Sequence, residues 1–446
     1  MNLHSMLSER GSAGRPLRVA LVGAGKFGTM WLSQAVRTPG THVLGVADLA
    51  PERARAALAT AGFAAERLQA KSAADAARRG TTLVTQDAEA LIEAPEVEVV
   101  IDATGSPSAG VTLALACARN GKHIVMVNVE ADALCGPFLA RRCREAGVVY
   151  SLAYGDQPAL ICEMVDWARA AGFPVVAAGK GTKYLPRYHQ STPETVWGDY
   201  GIPPEQAKAA GMNARMFNSF LDGTKSAIEM AAVANATGLA PAPGGLAFPP
   251  CGTDELPRLL RPKAAGGTLD HAGQVEVVSS LRRDGTQVAR DLRWGVYVVF
   301  EAPTDYAARC FSEYGMATDE SGRYAALWRP YHLIGLELGI SVASVGLRKE
   351  PTGAPRAWLA DAAATAKRDL AAGEVLDGEG GFLVYGKLTP AADSRRLGAL
   401  PIGLAHGVRL TAPVRANEPV RWADVEIDAG AGAVRARREM ERMFAA

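Results

Sequence analysis

The chain has 446 residues, with 48 Lys and Arg against 47 Asp and Glu and 48% hydrophobic side chains. A net charge of +1 supplies no field to steer it to nucleic acid or to an anionic membrane surface. No run of ~18 uncharged apolar residues suggests a membrane span, and the length predicts two or three domains.

The six cysteines are Cys117, Cys135, Cys143, Cys162, Cys251 and Cys310. They form no C-x-x-C pair and fit neither a zinc site nor a disulfide frame, so they read as reduced, small apolar residues of a cytoplasmic protein. The first sixteen residues carry Glu9, Arg10, Gly11, Ser12 and Gly14 and no apolar signal segment, and read as a frayed start.

The first ordered element is an apolar strand, Val19 to Val22, entering G-x-G-x-x-G with Lys26 and Phe27 between the last two glycines. Gly23 permits the tight turn, Gly25 lets backbone approach a pyrophosphate, and Gly28 lets the following helix pack closely on the sheet. That helix start offers unpaired N–H groups to phosphates. A second strand over 42–47 ends at Asp48, twenty residues after Gly28, where a carboxylate accepts adenosine ribose hydroxyls. Asp48 favours NAD, whereas Arg53 is near enough to meet the 2′-phosphate of NADP.

Strand and helix then alternate: a helix over 51–61, an inserted helix within 62–86, strands over 97–103, 122–128 and 148–153, and helices over 107–120 and 131–146. This is the doubly wound α/β pattern. Strand-to-helix turns at the carboxyl edge of such a sheet hold ligands, and three occur: residues 23–28, Thr104-Gly105-Ser106, and Asn128-Val129-Glu130. They predict one cleft, with Thr104 and Gly105 at the nicotinamide end. Glu130 reads either as a cofactor-side group or as an acid satisfying the helix dipole.

The predicted boundaries are a Rossmann domain over 1–155, an α+β catalytic and dimerisation domain over 156–350, and a small β-rich domain over 351–446. Asp156 follows the last Rossmann strand and reads as a ligand or base, or as the cap of the helix beginning near Pro158. After a strand over 175–179, Gly179-Lys180-Gly181-Thr182-Lys183 reads as an anion-binding turn, or as an ordinary basic turn. Its spacing is not that of a P-loop. His189 lies closest to this turn; His271, His332 and His406 read as structural.

A long helix is predicted over 212–237. At 100° per residue, Asp222, Lys225 and Glu229 fall within about 60° of one face. Such a trio could polarise a carbonyl, relay a proton or hold a divalent ion, or it could be a surface stripe. Met216, Phe217, Phe220, Leu221 and Ile228 leave little other polar surface, so the charges are predicted to face a cleft. Proline-rich residues 239–270, strands over 275–281 and 292–301, and a helix over 331–345 follow.

The phrases "AGEVL" (372–376), "LPIGLAHGVRL" (400–410) and "VRWADVEID" (420–428) are similar to the SAF, or β-clip, module. The fingerprint, "VNVEAD" (127–132), "AYGDQPALI" (153–161), "GKGTKY" (179–184) and "FNSFLDGTKSAIEM" (217–230) together resemble one group. It is the homoserine-dehydrogenase-like oxidoreductases with a C-terminal SAF module, which include 1-deoxy-D-xylulose-5-phosphate reductoisomerase-like proteins.

The resemblance implies a homodimeric enzyme using NADPH, with NADH as the alternative. It also implies a phosphorylated keto-sugar as substrate, chelated by a divalent ion (Mg2+ or Mn2+). The sugar would be rearranged and reduced to 2-C-methyl-D-erythritol 4-phosphate, an isoprenoid precursor. In that scheme Lys180, Lys183, Thr182 and His189 meet the substrate, Asp222 and Glu229 hold the ion, Lys225 polarises the carbonyl, and Asp156 assists. The alternatives are a dehydrogenase for another small polar alcohol or aldehyde, and a non-catalytic sensor of a dinucleotide or sugar.

Overall fold

The computed structural model describes residues 2–444. The chain divides into two compact units: residues 2–160, 333–356 and 436–443 form the first, and 161–332 with 357–435 make up nearly all of the second. Residues 156–160, 333–356 and 436–443, which the linear division places in the later domains, thus belong to the first unit.

The first unit is built on β1 (Leu17–Val22), β2 (Thr41–Ala47), β3 (Leu83–Thr85), β4 (Val99–Asp102), β5 (His123–Met126) and β6 (Tyr150–Leu152). They form an all-parallel sheet in the order β3-β2-β1-β4-β5-β6. The order reverses at β1, so the turn after β1 opens at the crevice where such sheets bind ligands. Leu17, Val19 and Leu21 of β1, Val43 and Val46 of β2, and Val99 and Ile101 of β4 form its core with Trp31 and Leu32.

The amino terminus is not frayed. Helix α1 (Leu3–Ser12) buries Leu7 in this core, and Arg10 pairs with Glu98 at 2.8 Å. Spacing of Leu3 and Leu7 by one helical turn gives α1 an apolar face to bury. The segment over 62–86 holds a helix, Ala73–Arg79, and also the short strand β3.

Residues 333–348 pack into the same core, against α1 and the helix after β1. Ser341 Oγ accepts the Tyr154 N–H at 2.7 Å, and Leu338, Val342 and Val345 join the core. The helix predicted from 331 begins only at Gly339. Gly335, with φ +70°, lies where a Cβ would be 2.8 Å from the Phe27 carbonyl oxygen, and this close approach to α2 (Lys26–Ala35) precludes helix. Helix α3 (Val129–Glu145), which follows β5, is kinked at Cys135, two residues before Pro137.

The second unit centres on a mixed sheet in the order β10-β9-β7-β8, from β7 (Val175–Thr182), β8 (Gln274–Ser279), β9 (Val296–Glu301) and β10 (Tyr324–Arg329). β8 runs parallel to β7 on one side and β9 antiparallel on the other, so the strands joined through Asp284-Gly285 are not neighbours. Two small antiparallel sheets follow: β11 (Ala360–Ala366) with β13 (Val384–Pro390), and β12 (Val375–Asp377) with β14 (His406–Leu410) and β15 (Val425–Glu426). The parallel Rossmann sheet, mixed α/β sheet and β-rich C-terminal region are the architecture read from the sequence.

The long helix predicted over 212–237 is two helices, α4 (Ala214–Leu221) and α5 (Thr224–Thr237). Gly223, at φ +91°, breaks them, a conformation that costs glycine nothing. Helix α5 packs against β8, β11 and β13. Among the described residues no helix is long and apolar enough to cross a membrane.

Candidate functional site

In the first unit the three glycines of the fingerprint do three different things. Gly23 sits at φ +94°, where a Cβ would lie 2.6 Å from the Ala103 carbonyl oxygen. A Cβ at Gly28 would lie 2.6 Å from the Gly23 oxygen. Gly25 has ordinary extended backbone (φ −74°), and a Cβ there would meet nothing within 4 Å. The first two are demanded by packing. The third leaves an open place at the head of α2, where N–H groups and the helix dipole face a pyrophosphate. Lys26 is exposed beside it, and Phe27 packs against the core.

Asp48 follows β2 with its side chain buried. It accepts the N–H of Ala24 (2.8 Å) and of Ala50 (2.9 Å) and two hydrogen bonds from Arg53 (3.2 and 2.7 Å). Burial raises its pKa, but these donors outweigh it and hold the carboxyl below the ordinary carboxylate range. Both oxygens are therefore occupied, and Asp48 ties the glycine turn to Arg53. The Arg53 side chain is 60% exposed and lies over the acid.

The second and third turns are laced together. Asp102, buried at the end of β4, accepts from the Thr104 N–H (2.9 Å), the Thr104 hydroxyl (2.7 Å) and Asn128 (3.3 Å). Burial pushes its carboxyl up to about 6 against these bonds. The Asn128 amide also donates to the Ser106 carbonyl at 2.7 Å, while its oxygen caps α3 at Ala131. Thr104 and Asn128, predicted to touch the cofactor, hold the shape of these turns. Gly105, at φ +66°, is the exposed tip, and Glu130 is half-buried in the first turn of α3. Asp156 Oδ1 accepts the Gln157 N–H at 2.9 Å, at the start of helix Gln157–Ala170.

In the second unit, two sequence readings are corrected. The first is the lysine turn. Lys180 and Thr182 lie within β7, not in a turn, and the glycines are there because backbone crowds them. A Cβ at Gly179 would fall 1.8 Å from the Glu276 oxygen, and at Gly181 1.9 Å from the Leu292 oxygen. Lys180 is buried and donates to Glu229, so it is not available to an anion. Lys183 lies beyond the strand; its ammonium donates to the Asp199 carbonyl and sits 5.3 Å from the centre of the Tyr200 ring.

The second correction is the metal pair. Asp222 caps the end of α4, wholly buried, and bonds Lys367 at 2.8 Å; Glu229 is taken by Lys180. Each carboxylate is already neutralised by an ammonium. Among the described residues no cluster of three or more His, Cys, Asp or Glu could hold a metal ion. The donor set does not fit the divalent ion.

The geometry at the head of α5 is nonetheless specific. Lys367, in the β-rich region, donates to Asp222 Oδ2 (2.8 Å), the Ser191 carbonyl (2.7 Å) and the Gly381 carbonyl (2.8 Å). Asp222 Oδ1 accepts the Thr224 N–H at 2.9 Å, and the Thr224 hydroxyl accepts the Gly386 N–H at 2.8 Å. Burial raises the Asp222 carboxyl, and Lys367 is the largest force pulling it back.

His189 donates from Nδ1 to the Asp222 carbonyl at 2.7 Å, which leaves Nε2 to accept from the Tyr184 hydroxyl at 2.9 Å. A Cβ on Gly223 would lie 3.2 Å from this ring, so the break brings the imidazole onto the start of α5. Burial lowers the His189 pKa, favouring the neutral ring. From 221 to 236 every residue is buried except Lys225, which is partly exposed in the first turn of α5. His189 is thus brought to Asp222, while Lys225 follows three residues further on, beyond the break at Gly223, so the trio is not a stripe on one helix. The sequence reading missed Tyr184 and Lys367. Tyr184 closes the phrase "GKGTKY" and could have been found there.

These two sets of residues define a class: a dinucleotide-binding unit and a separate unit with one lysine emerging from a buried polar network are the parts of an NAD(P)-dependent oxidoreductase. Comparison with known families agrees. Residues 23–147 match the homoserine dehydrogenase NAD binding domain, residues 155–338 the catalytic domain of oxidoreductase DRL, and residues 361–426 the SAF domain. No curated protein matches the chain.

Solved structures match at low identity. Biliverdin reductase from Synechocystis sp. PCC 6803, in complex with biliverdin and NADP+, is 18% identical, over 38% of this chain and 48% of that one, with a TM-score of 0.27. The WlbA dehydrogenase of Bordetella pertussis, in complex with NADH and UDP-GlcNAcA, is 18% identical over 44% and 51%, with a TM-score of 0.28. A probable dehydrogenase from Thermotoga maritima is 14% identical over 75% and 90%, with a TM-score of 0.36. The chain spans about half the length of the first structures matched. The assignment to NAD(P)-dependent oxidoreductases rests on the family matches.

Proposed function

We propose that the chain is an NADPH-dependent reductase of a small phosphorylated carbonyl compound, with 1-deoxy-D-xylulose 5-phosphate as the first substrate to test. The observation that carries this reading is Lys225, the one partly exposed residue from 221 to 236, in the first turn of the helix whose head is held by the Asp222–Lys367 pair and His189. Two features support NADPH over NADH: Asp48 has no acceptor site left for ribose hydroxyls, and Arg53 lies exposed over it.

For this substrate the carbon skeleton first isomerises, with no change in overall oxidation state, to the branched aldehyde; when bound, the reduced nicotinamide would supply a hydride, two electrons with one proton, to that aldehyde carbon. Lys225 then donates a hydrogen bond to the carbonyl oxygen and supplies the proton that completes the alcohol. The Tyr184 hydroxyl, hydrogen-bonded to neutral His189, is a second proton donor in the same network. Lys225 takes the polarising role that the sequence reading shared with an ion.

The test is NADPH oxidation with this sugar phosphate, in chelator-treated and metal-supplied protein, with identification of the product. Formation of 2-C-methyl-D-erythritol 4-phosphate that fails in Lys225→Met supports the reading; no turnover by folded protein that binds NADPH refutes it. A second reading, reduction of a polar aldehyde or ketone without rearrangement, is favoured by the engagement of Asp222 and Glu229 with lysines. A panel of carbonyl compounds with both cofactors separates the two.

A further inference from the structure

Three cations collect in the second unit, around the ring of Tyr200 and beside Tyr188. Arg293 stacks over the rings of Trp294 and Tyr200, with 4.8 and 5.7 Å from guanidinium carbon to ring centre. Among the described residues no carboxylate pairs with its guanidinium and none of the guanidinium N–H groups has a hydrogen-bond partner, so aromatic faces fix the plane while the fork stays unused. Lys183 lies 5.3 Å from the centre of the same Tyr200 ring, and Arg187 lies 5.0 Å from that of Tyr188.

Among the described residues Asp199 is the one acid ion-paired with the group, 3.4 Å from Arg187; Asp291 bonds only the backbone N–H of Arg293, at 2.9 Å. Three positive groups and one negative leave two positive charges uncompensated. Burial lowers the Lys183 pKa, and the Arg293 charge lowers it further, which marks mutual repulsion. Cations crowded without counter-charges are costly unless an anion joins them.

We propose that Arg293, Lys183 and Arg187 form a binding site for a dianionic phosphoryl group, the charged end of the ligand handled by this unit. A planar guanidinium presents two parallel N–H groups to phosphoryl oxygens, an ammonium adds a point charge, and the net +2 matches a phosphate monoester better than a carboxylate. The site replaces the lysine turn of the sequence reading: Lys183 stays, Lys180 leaves, and two arginines enter. It deepens the proposed function, from which it takes the phosphorylated substrate.

The experiment is calorimetric titration of the full chain with inorganic phosphate, and separately with acetate, at constant ionic strength. The variants are Arg293→Met, Lys183→Met and Arg309→Met. Arg309, which stacks on Tyr306 at 5.8 Å, is the same pair without the clustered charge. Each variant is first checked by circular dichroism and thermal unfolding.

Phosphate binding at one site is expected, at least tenfold weaker in Arg293→Met and Lys183→Met, unchanged in Arg309→Met, with acetate at least tenfold weaker than phosphate. Absence of phosphate binding, equal affinity for acetate, an unaffected Arg293→Met, or equal losses in Arg293→Met and Arg309→Met overturns the site. Because the readout needs no turnover, phosphate binding without reduction of the sugar phosphate would sink the proposed substrate and leave the anion site standing.

Discussion

Replacing Gly25 by alanine separates binding of the cofactor from integrity of the fold. The backbone there (φ −74°) suits alanine, and the added Cβ meets no protein atom within 4 Å. Folding stability should therefore hold or rise by about 0.4–1 kcal/mol, because alanine has less freedom to lose from the unfolded chain. The cofactor is affected in the opposite sense. The methyl occupies the place where a pyrophosphate approaches the head of α2, pushing its oxygens off the N–H groups. Charge-assisted hydrogen bonds are worth about 1.5–3 kcal/mol each, so losing one weakens NADPH by roughly 10- to 150-fold. The assay is a fluorescence titration of NADPH alongside thermal unfolding. Gly28→Ala is the contrast, since its Cβ meets backbone at 2.6 Å and destabilises the unit itself. Unchanged NADPH affinity in Gly25→Ala, with an unchanged melting temperature, would refute the placement of the phosphates.

Arg53→Ala should raise the KM for NADPH at least tenfold and leave that for NADH nearly unchanged; a parallel change in both would remove Arg53 from cofactor selection. Lys225→Met should lower kcat by about 100-fold or more while NADPH binds as before, and a variant retaining wild-type kcat excludes Lys225 as proton donor. Lys367→Met strands Asp222 as a buried charge and should cost about 3–5 kcal/mol by denaturant unfolding, with Asp222→Asn in the same chain restoring much of it. The pH dependence of stability is set partly by Asp132, which is wholly buried, accepts one hydrogen bond from Tyr150 (2.8 Å) and, among the described residues, has no partner for Oδ2. Burial raises its carboxyl from 3.8 to about 7. The folded state then binds the extra proton, so its contribution is favourable at low pH and is lost as pH rises from about 4 to about 7. Asp132→Asn should be more stable than the parent by about 2 kcal/mol at pH 8 and not at pH 4; a difference independent of pH would contradict this.

What was legible in the sequence was what depends on near neighbours. The glycine fingerprint, the strand ending at Asp48 and the alternation of strand and helix are local patterns, and they gave the fold and the head of α2. The dipeptide Asp222-Gly223 was a legible break as well, but apolar spacing at helical period runs through it from Phe217 to Ile228, and the period masked the turn. The lysine turn misled because glycine serves two ends: at Gly25 it makes room for a ligand, whereas at Gly179 and Gly181 it makes room for the backbone of neighbouring segments. Nothing in a one-dimensional pattern separates these cases. The partner of Asp222 was beyond reach for a different reason: Lys367 lies 145 residues away, in a stretch that reads as a module of its own.

That last pairing also bears on inheritance. A module that can be gained or lost freely is one whose edges carry no charge obligations to its host. Here the stretch matching the SAF domain holds, among the described residues, the only ammonium bonded to Asp222, and its Gly386 anchors Thr224. Position 222 and position 367 are therefore expected to change together across related chains. Relatives that lack the C-terminal module should carry an uncharged residue where this chain has Asp222.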